Sequence, residues 1–246
     1  MSAWLFDLGN TRLKCAPLLA DGRVGEAIAL PHREEDVAAA IAQHLPARID
    51  VAYLASVAQP TLRVAVLDAL ASRCGRISIA RTQPRFDELR IAYADPRKLG
   101  VDRFLALLGA RSRVRGPALV CGVGTALTID LVDADGQHLG GRIAPSPTLM
   151  REVLHARAPQ LAEAGGAYEA FARDTEDALA SGCEGAGVAL IEQSLAAATA
   201  RLGDAPSVLL HGGGSEALAR HLRNATEVAT LVLEGLARWA SVETAD

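Results

Sequence analysis

Residues Asp7-Leu8-Gly9-Asn10-Thr11-Arg12-Leu13-Lys14 set a carboxylate at the end of an apolar run, then a glycine turn with a hydroxyl, then a cation. Glycine lets a backbone approach a ligand with no Cβ in the way, so the N–H groups of such a turn suit phosphate oxygens. A carboxylate beside phosphates makes chemical sense when it faces magnesium, which binds few protein carboxylates and keeps several waters. An ordinary hairpin with Asp7 as a turn former uses the same residues, so the stretch carries weight only in company.

The first companion is the run from Tyr93 to Arg113, YADPRKLGVDRFLALLGARSR. Asp102 and Arg103 follow Gly100 at the mouth of an apolar-periodic helix that includes Val101, Phe104, Leu105 and Leu108. A helix N-terminus favours an anion and keeps a carboxylate ionised, which suits a proton acceptor for a substrate hydroxyl. Arg103 offers a forked guanidinium to a carboxylate or phosphate. A plain first-turn helix stabiliser paired to Arg103 is the competing reading of Asp102.

The second companion is LVCGVGTALTID, residues 119–130, which echoes WLFDLGNTRLK at residues 4–14. Gly124 and Thr125 repeat the phosphate turn, but Gly122 stands where the first copy has Asp7. A dinucleotide fingerprint is rejected, because Leu127 occupies the place of its third glycine and a strand rather than a helix follows. Gly212-Gly213-Gly214, after a strand and before a helix, suits a backbone platform for adenine or ribose, although a plain βα turn looks similar.

Positioning these turns requires an α/β fold. Alternating or continuous apolar runs predict strands near 3–9, 12–19, 24–30, 50–57, 76–81, 118–123, 127–133, 138–144 and 207–211. Helical periodicity covers about 34–45, 60–73, 101–113, 147–156, 175–202 and 215–222, and the apolar segment near 228–240 reads as a strand end running into a helix. Asp21-Gly22 and Asp135-Gly136 each suit a tight primed hairpin turn. Gly9 and Gly124 are 115 residues apart, and Asp21 and Asp135 are 114 apart, so one fold unit occurs twice, with a boundary near Gly116-Pro117. Each unit opens with an antiparallel meander and continues with alternating helices and strands, giving a sheet flanked by helices; both glycine turns are expected to face one cavity between the units.

Half of the 246 residues are apolar, enough for one large or two ordinary cores, and the net charge of −4 argues against nucleic acid or an anionic membrane as a charge-held partner. Arg111, Arg113 and Arg115 read as a solvated helix end. No run reaches the roughly twenty apolar residues of a bilayer span, and no signal-type core follows the N-terminus, so the expected location is the cytoplasm. Cys15, Cys74, Cys121 and Cys183 lack metal or disulfide spacing and are expected to be reduced, mostly buried thiols; the six histidines make no metal pairing.

In this order, DLGNTRLK, YADPRKLGVDR, GTALTID, HLGGRIAPS, LHARAPQL, DTEDALASGC, HGGG and LVLEGL resemble the type III pantothenate kinases, relatives of actin, the sugar and acetate kinases and the heat-shock chaperone ATPases. The resemblance spans nearly the whole chain. It implies two duplicated ribonuclease H-like domains, 1–116 with a first phosphate loop and 117–246 with the second phosphate and adenosine loops, and an active site in the cleft between them. It also implies ATP-dependent phosphorylation of the terminal hydroxyl of pantothenate, the first step of coenzyme A synthesis, with Mg2+ and a monovalent cation (K+ or NH4+), in a homodimer. By resemblance, Asp7, Leu8, Gly9, Asn10, Thr11, Arg12, Leu13, Lys14 and Thr125 bind ATP, with Asp7 acting indirectly on magnesium. Tyr93, Gly100, Val101, Asp102, Arg103 and Thr175 bind pantothenate, with Asp102 the proton acceptor. Tyr93 also reads as an aromatic wall or hydroxyl donor, or as a strand aromatic packed in the core.

Two positions depart from the family pattern. The second phosphate motif usually carries an acid associated with the monovalent cation, and here Gly122 replaces it; the usual Pro-Gly after GGxI is Pro145-Ser146. Hard cations prefer carboxylate oxygen, so the first change predicts little dependence on potassium. A non-catalytic, ligand-binding accessory factor and a kinase of another hydroxy acid or sugar are the competing functions.

Overall fold

The computed structural model describes residues 2–31 and 37–243. Two compact units emerge, one of 1–113 with the segment from Thr230 onward, the other of Val114–Ala229.

The first unit begins with β1 (Ala3–Leu8), β2 (Arg12–Leu18) and β3 (Ile28–Pro31), an antiparallel meander. Helix α1 (Val37–His44), β4 (Ile49–Ser56), α2 (Pro60–Ala71) and β5 (Cys74–Ile79) complete a five-stranded sheet of order β3-β2-β1-β4-β5, in which β4 runs parallel to β1 and β5 parallel to β4. Strand β4 is buried along most of its length, as expected of a central parallel strand whose residues are apolar nearly throughout. Phe6, Leu8, Leu13 and Cys15 of the meander pack with Ile41, Leu62 and Val66 of the two helices. Alternation along β1 and β2 therefore sends one face into this core. A small hairpin, β6 (Arg85–Phe86) and β7 (Leu89–Arg90), precedes a 3-10 turn at Pro96–Lys98 and helix α3 (Val101–Arg113).

The second unit repeats the plan. Strands β8 (Ala118–Val123), β9 (Ala126–Val132) and β10 (His138–Pro145) form the meander, followed by α4 (Pro147–Arg157), the long α5 (Thr175–Leu202), β11 (Ser207–His211), α6 (Ser215–Ala219) and β12 (Ala225–Glu227). The sheet order is β10-β9-β8-β11-β12, with β11 parallel to β8 and β12 parallel to β11. The same mixed sheet thus occurs twice with its helices, the duplicated ribonuclease H-like arrangement. Pro147 at the first turn and Ser146, whose Oγ accepts the Leu149 N–H at 3.2 Å, start α4 where the chain leaves β10.

Helix α7 (Leu231–Glu243) closes the described chain and groups with the first unit, whereas a boundary at Gly116-Pro117 leaves it in the second. Its crossing with α3 explains this. A Cβ on Gly235 would stand 1.8 Å from the Leu105 carbonyl oxygen, and one on Gly109 would stand 2.2 Å from that of Leu231. The two helices touch backbone to backbone, a pairing between distant segments that no local pattern announces.

Other expectations shift in detail. The third strand begins at Ile28 rather than near 24, with Val24 making only an isolated bridge to Leu18; residues 32–36, at the start of the predicted helix 34–45, lie outside the described residues. The strand end expected near 228 is β12. Neither Asp-Gly pair forms a primed turn, which needs positive φ at its first central residue. Gly22 (φ 81°) and Gly136 (φ 80°) instead close the turns from the fourth position, donating to the Leu19 and Asp133 carbonyls at 2.9 and 3.2 Å, and neither aspartate has a positive φ. The glycine follows the turn as a left-handed bulge residue. Helix α6 ends three residues before the expected 222, because the His221 and Leu222 N–H groups bond back to Leu218 and Ala219, tightening the last turn.

Candidate active site

Asp7 lies near the C-terminal end of β1, directly opposite Lys14 on β2. Between the strands, Gly9, Asn10 and Thr11 form the turn, closed by the Gly9 N–H donating to the Arg12 carbonyl at 3.1 Å. Of the eight residues expected to bind ATP here, Leu8 and Leu13 are fully buried and pair across the strands, so their side chains hold the turn while Asn10, Thr11 and Arg12 remain exposed. A Cβ on Gly9 would meet only the Arg12 carbonyl oxygen, at 3.5 Å, an ordinary contact. Packing within the protein does not require glycine at this position; open space beside the backbone is what glycine leaves.

Asp102 sits in the first turn of α3, with Oδ1 accepting the backbone N–H of Arg103 at 2.8 Å. That carboxylate folds back over Gly100, where a Cβ would stand 2.6 Å from Oδ1, so Gly100 is needed for the Asp102 side chain to adopt this position. The Arg103 guanidinium is buried, donates from Nη1 to the Tyr93 hydroxyl at 3.3 Å and lies with Cζ 5.9 Å from the Tyr93 ring centroid. Tyr93 is thus a partly exposed partner of Arg103, not a core aromatic. Thr82 Oγ1 donates to the Leu99 carbonyl at 2.8 Å, and Asp95 caps the 3-10 turn through the Arg97 N–H, so the segment entering α3 is fixed at both ends.

The two carboxylates expected to act together are electrostatically coupled. Burial, followed by the negative charge of Asp102, pushes the Asp7 carboxyl up to about 7, against the opposing pull of Lys14. An acid raised this far, first by burial and then by a neighbouring carboxylate, is one whose charge a cation would stabilise. The donor set fits magnesium, which needs only one or two carboxylates when phosphates and water complete its shell. No group of three or more His, Cys, Asp or Glu suited to an all-protein metal cage occurs among the described residues.

In the second unit, β8 and β9 are joined by Gly124 and Thr125, both exposed, with the Gly124 N–H donating to the Ala126 carbonyl at 3.0 Å. This turn is one residue shorter than its counterpart, which is why the offset falls from 115 at the first glycine to 114 at the following hairpin. A Cβ on Gly124 would meet nothing within 4 Å, so the fold leaves this glycine unexplained as well. Thr175 is the first residue of α5 and is exposed, next to the cap Asp174, whose side chain accepts the Asp177 N–H at 3.0 Å.

Two of the three consecutive glycines have packing reasons. A Cβ on Gly212 (φ 102°) would stand 2.3 Å from the Val123 carbonyl oxygen, and one on Gly214 would lie 2.9 Å from Val123 Cγ1. The Gly214 N–H donates to that same carbonyl at 3.0 Å, seating the loop on the end of β8. The helix that follows has five residues, too short for a developed N-terminal dipole. A contact that no sequence motif announces lies just before this loop. A Cβ on Gly122 would come within 2.9 Å of Cε1 and Nε2 of His211 and 2.7 Å of Thr128 Oγ1. Gly122 pairs with Thr128 on β9 and with His211 on β11, so the three form one row across the sheet.

Comparison with known proteins adds sequence to geometry. The pattern of the type III pantothenate kinase family matches residues 4–197. A type III pantothenate kinase of Stenotrophomonas maltophilia strain K279a is 57% identical over 240 residues, 98% of each chain. That of Xylella fastidiosa strain 9a5c is 54% identical over 242 residues, again 98% of each. A Baf family protein of Campylobacter jejuni shares the fold, with a TM-score of 0.65 at 20% identity, covering 99% of this chain and 100% of its own. Full-length relatives named as kinases do not favour the accessory-factor reading. With more than half its length inside the family pattern and its whole length aligned to close relatives, the chain belongs to the type III pantothenate kinase family.

Proposed function

We propose that this chain transfers the γ-phosphoryl group of ATP to the terminal hydroxyl of pantothenate, forming 4'-phosphopantothenate, the opening step of coenzyme A synthesis. The observation that carries it is the coupled pair Asp7 and Asp102 in one unit, with Asp102 held in the first turn of α3 beside Arg103. Phosphoryl transfer asks a protein chiefly to position the attacking oxygen and to neutralise phosphate charge. Asp102 accepts the proton of the attacking hydroxyl, and Arg103, set against Tyr93, forms a forked pair with the pantothenate carboxylate. Gly100 and Val101 line the acceptor through their backbone, and Thr175 adds a hydroxyl contact.

Asp7 is directed at magnesium, which when bound with ATP neutralises phosphate charge. The open turns at Gly9–Thr11 and Gly124-Thr125 present N–H groups and hydroxyls to the phosphates, with Arg12 and Lys14 adding positive charge. Gly9 and Gly124, at which packing does not demand a glycine, are ones this reading requires. A cytoplasmic homodimer is the proposed working form, in line with the prevalence of twofold assemblies among soluble enzymes; no helix among the described residues is long and apolar enough to cross a membrane.

The test is incubation of the purified protein with ATP, magnesium and pantothenate, with mass-spectrometric detection of phosphopantothenate. Asp102→Asn is expected to lower turnover by about 10²–10⁴-fold while circular dichroism stays native. Absence of product with the wild-type protein, or a much better rate with another hydroxy acid or sugar, overturns the assignment.

A further inference from the structure

We infer that His211 is a phosphate-contacting residue of the second turn, its imidazole holding the place where the family pattern has a cation-binding acid, so that this chain binds nucleotide without a monovalent cation. The inference rests on the phosphotransfer reading above and deepens it at one position.

Gly122 is the next-to-last residue of β8, two residues before the exposed turn glycine Gly124. Its register partners, Thr128 on one side and His211 on the other, stand in the same row, and alternation along each strand sends their side chains to one face. The space a side chain at 122 would enter already holds the His211 ring edge and the Thr128 hydroxyl. A carboxylate at this position cannot be accommodated without displacing the imidazole. Gly122 is therefore more than a deleted acid: the vacated volume has been refilled by a different group.

The refill changes the chemistry from cation-seeking to anion-seeking. Potassium takes several oxygen ligands and prefers carboxylates and carbonyls, whereas the row presents one hydroxyl and one imidazole. An imidazole N–H and a threonine hydroxyl are both donors, and phosphate oxygens are their natural acceptors. The backbone that carries the ring is fixed, since Gly212 and Gly214 lie against Val123 immediately after His211 and the Gly214 N–H bonds to the Val123 carbonyl at 3.0 Å. His211 itself is only partly buried, and the neighbouring Gly124 and Thr125 are exposed. His211 ends β11 at the same end of the sheet as this turn.

The experiment is calorimetric titration of wild type, H211A and H211Q with magnesium and a non-hydrolysable ATP analogue, in KCl, NaCl and choline chloride at equal ionic strength. Wild-type affinity is expected to agree within about twofold across the three salts, and H211A to bind about ten- to hundredfold more weakly, the loss expected for one hydrogen bond to a charged group. H211Q, which keeps an N–H donor on a side chain of similar reach, is expected to recover part of the difference; it also carries the test if H211A does not fold. Tenfold or greater tightening of the wild type by potassium alone, or unchanged affinity in both variants, overturns the inference. A parallel assay for phosphopantothenate separates the two readings. Wild-type turnover with unaltered binding in both variants removes only the role of His211, whereas salt-independent binding with no turnover removes the kinase assignment and leaves the role of His211 in place.

Discussion

Replacing Asp7 by asparagine is expected to stabilise the metal-free protein above neutral pH while removing its activity. The Asp7 carboxyl is pushed from its ordinary 3.8 to about 7, first by burial and then by the charge of Asp102. For an acid with a raised folded-state pKa, the favourable contribution is fully present below the unfolded value and is lost as pH rises toward the folded one, here between about 4 and 7. At ~1.36 kcal/mol per pKa unit, ionising this group in the fold costs at most about 4 kcal/mol, of which about 2.5 accrues between pH 5 and pH 8. Asp7 retains some contact with water, which brings the expected change over that interval to about 1–2 kcal/mol. Both tryptophans, Trp4 beside Phe6 on β1 and Trp239 on α7 against Tyr53, lie in the same unit as Asp7, so their emission reports that unit's unfolding. Urea titrations of wild type and D7N without metal should show an advantage for D7N that grows by this amount from pH 5 to pH 8. Magnesium with ATP should narrow the gap by neutralising Asp7 in the wild type only. An advantage constant with pH to within about 0.5 kcal/mol refutes the argument, because only an Asp7 with the same pKa in the folded and unfolded chain contributes no pH dependence.

Other consequences are open to direct measurement. G235A should destabilise the protein by about 3 kcal/mol or more, read as a lower urea midpoint, since its Cβ would enter the Leu105 carbonyl at 1.8 Å where no side-chain motion relieves it. G22A, at φ 81° with nothing within 4 Å, carries backbone strain alone and should cost only about 1 kcal/mol in the same titration. S146A removes the α4 cap and should cost about 1 kcal/mol. Burial pushes the Cys15 and Cys121 thiols up to about 12, so iodoacetamide at pH 8 should leave them unmodified in the folded protein; partly exposed Cys74 should react first, and all four should react in urea.

Much of this architecture was legible because its signals are local. Apolar runs bounded by glycine and by Asp-Gly pairs marked the meander strands of both units to within a few residues, and the 115- and 114-residue offsets revealed the duplication before any pairing was known. The turn at Gly9, the Gly100–Arg103 entry to α3 and the turn at Gly124-Thr125 were legible for the same reason: each is a short contiguous segment whose residue types state its chemistry. The β6–β7 hairpin escaped notice because its two-residue turn, Asp87-Glu88, lacks glycine, although Asp87 takes φ 54°. Arg103 was legible as an anion binder, but its seat on Tyr93 depends on how the segment before α3 folds back.

The sequence by itself determined the repeated meander, the open glycine turns and the set of charged residues available for chemistry, since each follows from propensity and spacing within a few residues. Only the tertiary structure decided that α7 joins the first unit through the glycine crossing with α3, that Asp7 and Asp102 share one electrostatic environment, and that His211 fills the volume beside Gly122. Each of these pairs residues far apart in the chain, and their proximity depends on strand order and helix packing, which no short window of sequence encodes.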